Sequence, residues 1–128
     1  MDRLLALAAG IEAMTGVALI VDPSLVARLL LGAGLSGVSV AVGRVAGFAL
    51  LALGLACWPG KETTRPAPWA IVTYNLLVTP YLLYLGIRGE WVGRVLWPAV
   101  ALHAVMTFLL VRTWWKGGQT AVRRGGDP

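Results

Sequence analysis

The stretch Val38 to Trp58, VSVAVGRVAGFALLALGLACW, constrains this chain more than any other. It is 21 residues long and carries a single charge, Arg44. At a rise of about 1.5 Å per residue, a helix of this length matches the roughly 30 Å hydrocarbon core of a bilayer. The stretch reads as a transmembrane helix. A cation inside it costs about 2.5 to 3.5 kcal/mol on insertion scales, so Arg44 is expected to face a partner or a wet cavity rather than lipid. The other helices have to supply that partner.

Composition agrees with this reading. Of the 128 residues, 58% are hydrophobic and only 13% are charged, which is one domain by length and too apolar for a soluble one. The net charge of +5 is scattered between apolar runs and gathers near the C-terminus, a pattern suited to anionic lipid headgroups and not to nucleic acid. The single Cys57 cannot close an intrachain disulfide. The N-terminal run resembles a signal peptide only superficially, because Glu12 interrupts its apolar core and no small-residue cleavage site follows; it is expected to stay as a first helix.

Taken in order, the chain predicts an all-α integral membrane four-helix bundle with a short interfacial segment. The spans are expected at residues 4–21, 38–58, 69–87 and 92–115. Asp22-Pro23 ends the first, since the residue before proline is pushed out of helical geometry. Ser24 then caps LVARLLLG, whose one arginine among leucines suits a helix in the headgroup region; the same segment can also be the start of a long, tilted second helix. Gly32, Gly34 and Gly37 favour a break there. PGKETTRPAP, residues 59–68, is a loop by its turn formers. Pro80 falls inside the third span and removes one backbone hydrogen bond. Residues 117–128 read as a basic, disordered tail. Four spans place both termini on one side, with Arg3, Lys61, Arg65, Arg112, Lys116, Arg123 and Arg124; the other side carries Arg28, Arg88 and Arg94, plus Arg44 if it is counted there. The bias predicts cytoplasmic termini.

Each span holds one conspicuous polar side chain: Glu12, Arg44, Asn75 and His103. On the expected topology Glu12, Asn75 and His103 lie about 9 to 12 Å from the cytoplasmic boundary, with Arg44 about 8 Å from Glu12 in depth. The four can form an intramembrane polar cluster. Small residues (Ala8, Ala9, Gly16) share the face of Glu12, and Gly43, Gly47 and Gly54 line the second span as a helix-packing stripe with Arg44 on its flank. A Glu12 to Arg44 ion pair inside the bundle is the sharpest structural expectation. Glu12 and His103 are the candidate acid–base pair, Glu12 being the one carboxylate within a span. Asn75, with Thr73, Thr79, Tyr74 and Tyr81 on its helix, offers a polar and aromatic wall suited to helix–helix hydrogen bonding or to a lipid-soluble ligand. The sequence holds no metal-binding cluster, phosphate loop or nucleophile triad.

Pro23 with the leucine-rich segment ending Leu31-Gly32, then Gly43-Arg44-x-x-Gly47 and Leu53-Gly54-Leu55, resembles the DoxX-like group of small four-helix bacterial membrane proteins. The resemblance covers the first 58 residues or so. It implies a four-helix bundle in the bacterial inner membrane, in a group that includes a subunit associated with thiosulfate oxidation by quinone. From size and the glycine-lined faces, the first expectation is a non-enzymatic accessory or structural subunit of a membrane complex or homo-oligomer, with no cofactor. The alternative is a membrane-embedded site or enzyme for a quinone, isoprenoid or sterol-like ligand, using Glu12 and His103. Proton or small-solute transport is the third.

Overall fold

The computed structural model describes residues 2–59 and 66–124. Its helices are α1 (Asp2–Val21), α2 (Pro23–Leu31), α3 (Val38–Ala56), α4 (Pro66–Arg88) and α5 (Leu96–Arg124), and no strand occurs among the described residues. All but α2 are long and apolar enough to cross a membrane.

The break between α1 and α3 is built locally. Asp22 accepts a hydrogen bond from the Leu25 N–H at 2.9 Å, so the cap is Asp22 and not the expected Ser24, and Pro23 opens α2, where its missing N–H costs nothing. Gly32, at φ 77°, closes α2 by donating its N–H to the Arg28 carbonyl at 3.0 Å. The segment is therefore a separate short helix and not the first turns of a longer one. Ser24 holds the returning chain, its hydroxyl donating to the Leu35 carbonyl at 3.3 Å and accepting from the Leu35 N–H at 3.1 Å. The next two free carbonyls at the end of α2, Leu29 and Leu30, accept from the N–H groups of Val95 (2.9 Å) and Gly93 (3.0 Å) in the α4–α5 connection. Gly93 lies against the Leu29 carbonyl, where a side chain would overlap backbone. Thus α2 is tied at both ends.

The long helices associate as two antiparallel pairs, α1 with α3 and α4 with α5. In the first pair glycines set the register. A Cβ on Gly16 would stand 2.5 Å from the Leu51 nitrogen, one on Gly47 2.8 Å from the Gly16 carbonyl oxygen, and one on Gly54 2.6 Å from the Ala9 carbonyl oxygen. Such close backbone approach is how helices gain packing where lipid is as apolar as leucine. Gly43 meets Pro23 and Leu35, so all three glycines of the expected stripe pack within the chain. The pairs join through a core of Leu5, Ala8 and Ala9 from α1, Cys57 after α3, Ile71 from α4, and Met106 and Leu110 from α5. Outside, large apolar side chains such as Met14 (76% exposed), Val38 (81%) and Ile87 (72%) face outward. That inversion of the soluble pattern suits a bilayer as solvent.

Three boundaries differ by three residues or more from the sequence expectation. Helix α5 begins at Leu96, four residues after the expected 92, the preceding Gly93 and Val95 donating their N–H groups to α2 instead. Helix α5 continues through Arg124, so the tail expected to be disordered is helical up to that residue. Elongating a formed helix adds a bond per residue, and the Gly117-Gly118 pair costs only about 1 kcal/mol per glycine, too little to stop it. Helix α4 starts at Pro66, three residues before the expected Trp69. Within the expected loop 59–68, residues 60–65 lie outside the described residues.

Candidate intramembrane polar site

Three of the four polar residues singled out in the sequence come together where the two helix pairs meet. Glu12 of α1 is 2% exposed and Asn75 of α4 is 1% exposed, the two polar residues in an otherwise apolar interior. Asn75 donates from its amide nitrogen to the Ile71 carbonyl at 2.9 Å, one turn back on its own helix. That bond uses the acceptor-only carbonyl to turn the amide oxygen outward, toward α5, where it meets His103 Nδ1 at 2.8 Å. His103 Nδ1 lies 4.0 Å from the Glu12 Oε1. At that separation the imidazole and carboxylate are adjacent without a direct hydrogen bond.

Tyr74 completes the group. Its hydroxyl donates to the Glu12 carboxylate, and its ring stands edge-on to the His103 ring with centroids 6.0 Å apart. Sequence reasoning placed Tyr74 with Tyr81 on an aromatic wall and did not include it in the cluster. The usable signal was adjacency: Tyr74 precedes Asn75 in the chain. Tyr81, two turns later, is 62% exposed.

Arg44 does not join the cluster, which corrects the expected ion pair. Glu12 lies level with Gly54, because Gly54 abuts the backbones of Ala9 and Ala13. Arg44 precedes Gly54 by ten residues, which places it about 15 Å away along the helix. It sits in the early turns of α3, beside the Gly43 that packs on Pro23 and Leu35, and it is exposed. The glycine register of α1 and α3 therefore carries Arg44 toward the end of the bundle away from Glu12. Among the described residues the other ion pair is Arg88 with Glu90, at 3.2 Å on the surface.

On the outward side of the same α4–α5 seam runs an apolar groove of about 510 Å³, its walls including Leu76, Pro80, Ala104 and Phe108. Thr79 and Thr107 line it too, with hydroxyls turned back to donate to the Asn75 carbonyl (2.7 Å) and the His103 carbonyl (2.8 Å). The groove thus presents methyl groups. The Asn75–His103 hydrogen bond separates it from Glu12, given the helical positions of these residues. No group of three or more His, Cys, Asp or Glu side chains able to hold a metal occurs among the described residues.

No family model, curated protein or solved structure matches this chain.

Proposed function

We propose that this is a multi-pass membrane protein whose working centre is the Glu12–Tyr74–Asn75–His103 cluster, a site for the polar end of a hydrophobic ligand. The observation that carries the reading is the convergence of a carboxylate, a phenol, an amide and an imidazole from α1, α4 and α5 in an apolar interior, without the arginine that would make it a structural ion pair. Helix association alone needs one or two neutral hydrogen bonds. An acid beside an imidazole goes beyond that need, and ionisable groups at membrane depth ordinarily mark function. The open groove along the same seam is apolar and offers a surface on which an apolar tail can lie. A quinone, isoprenoid or sterol-like molecule fits the site by class, and the DoxX-like resemblance and a bacterial inner-membrane location with cytoplasmic termini belong to the same proposal.

The accessory-subunit reading rests on small size, little mass outside the spans and glycine-lined helix faces. Gly43, Gly47 and Gly54 are occupied within this chain, so they supply no argument for a homo-oligomer or a larger complex. The test is mass spectrometry of small molecules released from the protein after gentle extraction from its own membrane. One hydrophobic compound retained by the wild type and lost from folded Glu12→Gln and His103→Leu variants is the expected result. Bulk phospholipid alone, identical in all three proteins, would overturn the ligand-site reading and return the protein to an accessory role.

A further inference from the structure

The hydrogen bonds of the cluster say which kind of head group it takes. Asn75 is the reference point, because its amide nitrogen is committed to the Ile71 carbonyl at 2.9 Å and its oxygen therefore faces His103 Nδ1 at 2.8 Å. Reversing the amide would set two carbonyl oxygens against each other. An amide oxygen only accepts, so the hydrogen of a neutral His103 ring resides on Nδ1. This is the tautomer that imidazole disfavours in water, and Glu12 Oε1, 4.0 Å from the same nitrogen, favours it further. The two ring nitrogens diverge, so Nε2 points away from Asn75 and Glu12 with its lone pair available.

The other donors are spent as well. The Tyr74 hydroxyl is on Glu12, and the Thr79 and Thr107 hydroxyls are on backbone carbonyls. Apart from the second amide hydrogen of Asn75 and the buried Glu12 when its carboxyl is neutral, what the site has left is acceptor capacity. His103 is also the more accessible partner, its side chain 13% exposed against 3% for Glu12. Resting on the ligand-site reading above, we infer that the cluster selects a hydrophobic molecule whose head donates a hydrogen bond, an alcohol or phenol, to His103 Nε2, and that Asn75 is the positioning residue that sets this selectivity. A head that only accepts, such as an ether, a ketone or an oxidised quinone, finds no free donor on the imidazole, which narrows the classes above to isoprenoid alcohols, sterols and the reduced quinol.

The chain contains one histidine, so 15N-histidine labelling in phospholipid bilayers gives a single imidazole whose protonation is read directly. The expected spectrum shows a protonated Nδ1 and an unprotonated Nε2. Farnesol, added as a probe, moves the Nε2 signal upfield, and farnesyl methyl ether leaves it in place. In Asn75→Leu, close to Asn in shape and at home in an apolar interior, the protonated fraction of Nε2 rises. A wild-type ring protonated on Nε2, or on both nitrogens, overturns the inference, as does an equal response to the two probes. If either probe moves the imidazole signals in that case, the ligand-site reading survives the failure. If Nε2 is unprotonated and neither probe moves any imidazole signal, both fall together.

Discussion

At the scale of single residues, the site turns on how far apart two side chains sit along a helix. Composition and depth marked Glu12, Asn75 and His103 as neighbours, and the structure places them so: 2.8 Å separates Asn75 from His103, and 4.0 Å separates His103 from Glu12. Arg44 was legible as an intramembrane charge but not as an outlier. Its position relative to Glu12 depends on the α1–α3 register, and register is set by which glycine meets which backbone atom, a pairing that one sequence does not encode visibly. Exposed and unpaired with Glu12, Arg44 is predicted to tolerate replacement. In Arg44→Gln the amount of folded protein and its thermal midpoint stay near wild type, within about 0.5 kcal/mol, as for surface substitutions generally. Denaturation followed by circular dichroism in bicelles checks this. A loss comparable to that of Glu12 variants, restored by exchanging the two charged residues, would reinstate the ion pair.

At the scale of elements, turn chemistry was readable and helix pairing was not. The break at Asp22-Pro23, the separate α2 and its left-handed glycine end at Gly32 follow from local rules, whereas the cap does not: it is Asp22 and not the expected Ser24, which lies inside α2 and bonds Leu35. That α2 is held by Gly93 and Val95, more than sixty residues later in the chain, has no local signal. The glycine stripe on α3 announced close packing without saying against what, and the answer is α1. Gly54→Ala is therefore expected to destabilise the protein by about 1 to 3 kcal/mol, the usual cost of overpacking, because its methyl would lie 2.6 Å from the Ala9 oxygen and 2.7 Å from the Ala13 nitrogen. Both are backbone atoms, so α1 and α3 must move apart. Gly10→Ala is the matched control. Its Cβ meets only a Trp58 ring atom at 3.8 Å, and the gain in helix propensity makes it neutral or stabilising by up to about 1 kcal/mol. Unfolding midpoints of the two variants, measured side by side, decide the point.

At the scale of the whole molecule, the site exists only where the two helix pairs dock. Glu12 comes from the α1–α3 pair, whereas Tyr74, Asn75 and His103 come from the α4–α5 pair. The apolar core of Leu5, Ala8, Ala9, Ile71, Met106 and Leu110 holds the pairs together beside it. The four spans were legible because length and hydropathy alone define them. The junction was not, because α1, α3 and α4 are apolar nearly all round and no amphipathic stripe on them points to a neighbour. What makes this an integrated site is energetic coupling across that junction. A double-mutant cycle of Glu12→Gln and His103→Leu, read as unfolding free energy in bicelles, measures it. Coupling of about 0.5 kcal/mol or more is expected for residues in one network, whereas the two substitutions adding within about 0.3 kcal/mol would mean that Glu12 and His103 act independently and that the junction is not a site.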